Sequence, residues 1–91
     1  MITKRYRIRG TVQGVYFRAS ARNKARELGL TGWVRNVADG SVESLVTGSE
    51  QAVDQFTDWL WQGPEGATVA HVEAAAEADM TFDGFEILRS Y

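Results

Sequence analysis

Apolar and charged residues alternate at the start of the chain. Between residues 4 and 12, every second position is apolar or glycine: Tyr6, Ile8, Gly10 and Val12. A period of two is typical of a strand that buries one face. The pattern therefore predicts a first strand over residues 4–12.

The apolar spacing changes after a short glycine-containing segment. Apolar side chains then fall on one helical face, at Phe17, Ala21, Ala25 and Leu28. Gly29 follows, where helices commonly end in a left-handed cap, and basic residues in the later turns complement the helix dipole. These signals predict a first helix from about Arg18 to Leu28.

A hairpin and a second helix follow. Residues 30–37 and 41–47 are short strand-like segments on either side of a turn that contains Gly40. Ser49 is a suitable N-cap for a helix that ends at Gly63 and Pro64. The apolar face of this helix is predicted to consist of Ala52, Val53, Phe56, Trp59 and Leu60.

Two further strands complete the predicted fold. The composition of residues 68–77 fits a strand or a helix, and context favours a strand, while residues 85–91 predict a short last strand. The order is β-α-β-β-α-β with an extra C-terminal strand. We therefore expect one α+β domain over residues 1–91, a ferredoxin-like sandwich with two helices on one face of an antiparallel sheet. This fold hosts many functions, so the sites must decide among them.

Composition narrows the class of protein. The chain has 91 residues, no cysteine and a net charge of -2. A hydrophobic core must stabilise it, and disulfides, thiolate metal sites and cysteine nucleophiles are excluded. Charged residues at positions 4, 5, 7 and 9 stand where a secretory signal needs an apolar run, which argues against such a signal. No apolar run reaches the ~18 residues of a membrane span. We expect a cytoplasmic protein that does not act at a membrane.

The charges are distributed unevenly along the chain. Nine of the ten lysines and arginines lie in residues 1–36, and eleven of the twelve acidic residues lie in residues 37–91. The basic third can attract an anionic ligand through its summed potential. Alternatively, basic and acidic strands lie side by side and neutralise one another. Both interpretations stay open at this point, with Arg18 set apart by its position.

The segment between the first strand and the first helix is the main functional candidate. Residues 10–18, GTVQGVYFR, place a tight loop before a helix N-terminus, where backbone N–H groups and the helix dipole attract an anion. Gly14 allows a ligand close to the backbone, and Arg18 adds a planar set of donors. The loop lacks the motifs of nucleotide-binding loops. Its residues predict either a phosphate cradle or an ordinary turn with a solvated arginine.

Two segments resemble the signatures of the acylphosphatase family. GTVQGVYFR resembles the first signature, and GWVRNVADGSVESLVTG, residues 32–48, resembles the second. They occur in the family's order, and the family's element order covers essentially the whole chain. Two positions depart from the pattern. Thr11 stands where many members have a basic residue, and Val37 stands where some members have a residue with a hydroxyl group. The pattern is met at Gly10, Gln13, Gly14, Val15, Phe17, Arg18, Gly32, Trp33, Asn36, Gly40, Val42 and Gly48.

The resemblance implies hydrolysis of acyl phosphates to a carboxylate and inorganic phosphate, with no metal and no organic cofactor. Arg18 is similar in position to the family's phosphate-binding arginine, and Asn36 to the residue that orients the attacking water. Spacing alone favours a turn role for Asn36. The water's proton is expected to pass to an oxygen of the substrate's own phosphate. The resemblance thus implies Arg18 and Asn36 for catalysis, and for phosphate binding a cradle formed by the backbone of Gln13, Gly14, Val15, Tyr16, Phe17 and Arg18, together with the Arg18 side chain.

Three other side chains carry separate predictions. His71, the single histidine, is expected to be structural or exposed rather than a metal ligand. Tyr16 is the aromatic residue of the loop that could contact the acyl group. The terminal carboxylate of Tyr91 is hypothesised to pair with Arg18 when the site is empty.

Two other classes of function compete with hydrolysis. A basic first third on a ferredoxin-like sheet also occurs in RNA-binding modules, but the paired aromatic residues of their strands are missing here. A non-enzymatic domain could use the same loop to sense a phosphorylated metabolite, and the presence of Asn36 favours hydrolysis over sensing. We expect a monomeric acylphosphatase that acts on a small molecule and does not bind nucleic acid.

Overall fold

The computed structural model describes residues 1–89 and contains the predicted order of elements, including the short last strand. The five strands and two helices are β1 (Ile2–Thr11), α1 (Phe17–Glu27), β2 (Thr31–Asn36), β3 (Val42–Gly48), α2 (Glu50–Gln62), β4 (Thr68–Glu77) and β5 (Phe85–Ile87). The ferredoxin-like α+β prediction is therefore confirmed.

Most element boundaries differ from the predictions by no more than two residues. The last strand is shorter than predicted, because β5 pairs with β2 only as far as Ile87; Leu88 and Arg89 lie outside it, and residues 90–91 of the predicted strand lie outside the described residues. β1 begins at Ile2 because its first residues pair with β3, where Ile2 lies opposite Gly48. α1 begins at Phe17, since Tyr16 has left-handed backbone angles and serves as its N-cap. Ser49 caps α2 as predicted, and its side chain accepts a hydrogen bond from the backbone N–H of Ala52.

The sheet has the order β4-β1-β3-β2-β5 and is mixed rather than wholly antiparallel. The first four strands pair antiparallel, and β5 pairs parallel to β2. The connection after β4 explains this direction, because it crosses one end of the sheet. Met80 bonds to Thr3 and Thr47 there, and Gly84 accepts from the N–H of Gly32 at the start of β2. The chain therefore enters β5 from the end at which β2 begins.

Both helices cover the same face of the sheet. α1 packs against β2 and β5, and α2 packs against β4, β1 and β3. Between these layers lie the fully buried side chains of the core, which include Tyr6, Ile8, Val34, Val46, Phe56, Leu60 and Phe85. The opposite face, called here the open face, presents Arg5, Arg7 and Arg9 of β1. No helix in the described part of the chain is long and apolar enough to span a membrane.

Candidate active site

The predicted cradle is a tight loop between the end of β1 and the start of α1. Gly14 has a φ of 77°, and a Cβ atom added there would meet no described atom within 4 Å. Tyr16 has a φ of 60° and is the one non-glycine residue among residues 1–89 with a positive φ. A left-handed conformation costs a tyrosine about 1–2 kcal/mol, so the rest of the structure must hold this turn in place.

α1 begins directly at this loop and does so without the usual side-chain cap. Tyr16 is the N-cap residue, its side chain makes no capping hydrogen bond within residues 1–89, and the first turn of the helix carries no acidic residue. The first N–H groups of a helix lack partners within the helix, and its dipole places about half a positive charge there. The end of the helix that faces the loop is therefore suited to an anion.

A cleft of about 400 Å³ opens at this helix end. It brings together most of the predicted site, namely Gly14, Tyr16, Phe17, Arg18 and Asn36, with Val12, Ala19 and Ile87 completing its lining. Two predicted binding residues, Gln13 and Val15, do not line it. Ile87 was not predicted as a site residue. The alternating pattern of the last segment marks it only as a residue of a strand.

The side chain of Gln13 points to the hairpin turn instead of the cleft. Its Nε2 donates to the carbonyl oxygen of Val37 at 2.8 Å and to that of Ser41 at 2.9 Å. Both hydrogens of the amide are thus used between the loop and the turn that joins β2 to β3. This residue connects two segments that the sequence places 24 positions apart.

Asn36 is the last residue of β2 and lies on the helix-covered face of the sheet. The pairing of β2 with β3 places it opposite Val42, and it shares its face with fully buried Val34. Its Oδ1 atom is buried and has no hydrogen-bond partner among residues 1–89. A buried polar atom without a partner costs about 1–3 kcal/mol, which a folded protein rarely accepts without a use for the atom. Asn36 therefore offers an acceptor at the cleft.

A network of charges supports the hairpin turn from the open face. Asp39 accepts from the N–H and the hydroxyl of Ser41 and pairs with Arg7 and Arg9, each at 3.3 Å. The hydrogen bonds from Ser41, assisted by Arg9 and Arg7, lower the pKa of the Asp39 carboxyl to about 2. Asp39 is therefore ionised across the ordinary pH range.

Glu43 is the centre of the open-face network. Its side chain is only 7% exposed and pairs with Arg5 at 3.1 Å, Arg7 at 3.6 Å and Arg35 at 2.6 Å. Burial pushes its pKa upward, but the hydrogen bonds from Arg35 and Arg5 outweigh burial and lower the pKa overall. Sequence reasoning missed this residue, although the acidic position on β3 across from alternating arginines was a usable signal.

Strand pairing places the basic first third of the sequence beside acidic residues from later in the chain. β1 lies between the acidic positions of β3 and β4, and Arg5 and Arg9 also pair with Glu77 and Glu73. Arg35 of β2 pairs with Glu43 on the same face and is the fourth open-face arginine. For these four arginines the fold neutralises the positive charge, so the interpretation of neighbouring basic and acidic strands is the one found.

The remaining predicted residues lie apart from the cleft. His71 is exposed and makes an edge-to-face contact with Trp61, with ring centres 5.8 Å apart. Trp33 lies on the open face, where the guanidinium carbons of Arg5 and Arg35 are 6.0 Å and 5.3 Å from its ring centre. The hypothesised pairing of the Tyr91 carboxylate with Arg18 falls outside the described residues.

Comparison with known proteins identifies the family of this chain. The family model of the acylphosphatases matches residues 4–87. An acylphosphatase of Alkalilimnicola ehrlichii is 44% identical over 86 residues, which cover 94% of this chain and 97% of that protein. Among solved structures, acylphosphatases of Coxiella burnetii and Bacillus subtilis superpose with TM-scores of 0.93 and 0.94.

These structural matches extend over nearly all of each chain. The Coxiella burnetii protein is 38% identical, with 96% of this chain and 92% of that one covered. The Bacillus subtilis protein is 31% identical, with 97% and 99% covered. The family model, the named relatives and the superposed structures all indicate the same family. The chain belongs to the acylphosphatases, the hydrolases of acyl phosphates.

Proposed function

We propose that the cleft binds the phosphoryl group of an acyl phosphate between the loop backbone and Arg18, and that Asn36 orients the water that attacks phosphorus. The family membership supplies the reaction, and the proposal concerns the residues that perform it. All of them come from one chain, so a monomer is sufficient. The observation that supports it best is the lining of one cleft by Gly14, Arg18 and Asn36, which lie on three different elements of the chain.

The phosphoryl group would be held by electrostatics and hydrogen bonds. Charge in phosphoryl transfer is spread over the equatorial oxygens, so fixed donors around them supply most of the catalysis. The N-terminus of α1 contributes N–H groups and its dipole, and the guanidinium of Arg18 contributes a planar pair of donors. Because Gly14 has no side chain above the loop, the ligand can approach the backbone closely.

Hydrolysis would proceed by attack of one water on phosphorus. The new P–O bond forms as the P–O bond to the acyl group breaks, and the carboxylate leaves with that electron pair. The water's proton passes to a phosphate oxygen. The carboxylate is a weakly basic leaving group, so this step needs no strong general acid. The Oδ1 of Asn36 can accept a hydrogen bond from the water and fix its position without any change of charge.

The test is hydrolysis of benzoyl phosphate in the presence of EDTA, with the unsubstituted protein compared with Asn36→Ala. Rapid turnover that the substitution abolishes, while inorganic phosphate still binds, is the expected result. Undiminished turnover in Asn36→Ala would remove Asn36 from the mechanism. A protein that binds phosphate but hydrolyses nothing would indicate the sensing domain considered above.

A further inference from the structure

Tyr16 combines two unusual properties at the cleft. Its side chain is 85% exposed, the highest exposure of any large apolar side chain among residues 1–89. It also stands at the position whose backbone is held in the left-handed conformation, which asparagine or glycine would adopt more readily. An exposed ring at a strained position of the cleft has no packing role that would account for it.

The lining of the cleft divides into a polar part and an apolar part. Arg18 and Asn36 are the charged and amide side chains among the described lining residues, and the proposed function uses both for the phosphoryl group and the water. Val12 and Phe17 also line the cleft but are almost fully buried and expose little surface to a ligand. Accessible apolar surface is thus contributed mainly by Tyr16 and, from β5, by partly buried Ile87, with the small side chain of Ala19 beside them.

Ile87 reaches the cleft through the pairing of β5 with β2. It lies beside Val34, which precedes Asn36 by two positions and shares its face. The apolar side chain of Ile87 and the amide of Asn36 therefore stand at neighbouring positions of the same sheet face. A substrate whose phosphoryl group is held at the loop would extend its acyl group along this surface.

We propose that Tyr16 and Ile87 form an apolar platform for the acyl group, and that the preferred substrates are acyl phosphates with an apolar, above all aromatic, acyl group. The inference rests on the proposed function, because it assigns the polar groups of the cleft to phosphate and water. A flat ring matches the exposed face of Tyr16, since aromatic pairs gain energy beyond the area they bury. An acyl group with a second carboxylate would find no further cationic side chain among the described lining residues.

The test compares kcat/KM for benzoyl phosphate with kcat/KM for acetyl phosphate. The ratio of the two values does not depend on how much of a variant is folded. Tyr16→Asn removes the ring but retains a residue that accepts the left-handed conformation. Tyr16→Phe retains the ring. Trp61→Ser is the matched control, since Trp61 is another exposed aromatic residue and lies outside the cleft.

We expect Tyr16→Asn to lower the ratio about tenfold, which is the effect of one aromatic contact. Tyr16→Phe and Trp61→Ser should keep the ratio within about twofold of its original value, a difference too small for the loss of such a contact. An unchanged ratio in Tyr16→Asn, with both substrates hydrolysed by the unsubstituted protein, would refute the platform and leave the proposed function intact. If the unsubstituted protein hydrolysed neither substrate, the proposed function would fail and the platform with it.

Discussion

The side-chain amide of Gln13 donates to the carbonyl oxygen of Val37 at 2.8 Å and joins the cleft loop to the β2–β3 turn. Val37 directly follows Asn36, so this hydrogen bond sets the spacing between the loop and the residue proposed to orient the water. The second hydrogen of the amide bonds to Ser41 at 2.9 Å and holds the other side of the same turn. Gln13 is therefore a positioning residue that need not touch the substrate.

Gln13→Leu should impair turnover more than phosphate binding. The substitution keeps the approximate size of the side chain but removes both hydrogen bonds, at a cost of about 1–3 kcal/mol in unfolding free energy. Loop and turn would then be free to shift relative to each other, and misplacement of the water lowers kcat. Steady-state kinetics, phosphate titration and urea unfolding measure the three effects. Gln55→Leu on the exposed side of α2 is the control, and equal effects in both variants would contradict the positioning role.

Arg18→Ala should weaken the binding of inorganic phosphate by roughly ten- to a hundredfold, because it removes a charge-assisted pair of hydrogen bonds. Titration calorimetry measures the affinity. Arg22→Ala changes the net charge equally, one helical turn further along α1, and should weaken binding by only about twofold through the screened field. Equal losses in the two variants would mean that the basic helix attracts phosphate without a specific contact.

Asn36→Ala should leave the protein at least as stable as before while it loses activity. The substitution removes a buried oxygen that has no partner among residues 1–89, so the folded state loses a penalty of about 1 kcal/mol or more. Turnover should fall about a hundredfold because the water is no longer oriented. Thermal unfolding and kcat, measured on the same preparation, test this. A marked loss of stability would show that the amide serves the fold.

Glu43→Gln should destabilise the protein by about 1.5–3 kcal/mol, the range for lost hydrogen bonds to a charged group. The neutral amide leaves Arg5, Arg7 and Arg35 without the buried carboxylate that pairs with all three. Glu73→Gln, which disrupts the exposed pair with Arg9, is the matched control and should cost less than about 1 kcal/mol. Urea unfolding at neutral pH compares them. If the two substitutions lowered the unfolding free energy equally, Glu43 would contribute no more to stability than a residue of an exposed ion pair.

Stability should decline in acid partly through Asp39. Its pKa in the folded protein is about 2, below the ordinary value of 3.8, so the folded state favours the ionised form. The stabilisation is present above about pH 4 and is lost as the pH falls toward 2. Asp39→Asn should therefore flatten the dependence of unfolding free energy on pH in this window. Asp83→Asn, at an exposed position, is the control and should leave the pH dependence of the unfolding free energy unchanged. If Asp39→Asn had the same pH dependence as the unsubstituted protein, Asp39 would not contribute to the loss of stability in acid.

Local patterns were sufficient to predict most of the fold. The period-two alternation of β1 and the helical spacing from Phe17 to Ala25 are properties of neighbouring residues, and each matches an observed element within two residues. The direction of β5 was not predictable in this way. It depends on where the 78–84 connection crosses the sheet, and its hydrogen bonds to Thr3, Thr47 and Gly32 join residues far apart in the chain.

The candidate site shows the same division. Turn chemistry and the family motifs are local, so the sequence was sufficient to predict the loop and the helix that follows it, and to nominate Arg18 and Asn36 as candidates. Three other relationships became visible only in the folded protein: the Gln13 side chain bonds to the hairpin turn, Ile87 lines the cleft, and Glu43 pairs with three arginines. These relationships depend on strand order and register, which bring together residues that no local pattern connects.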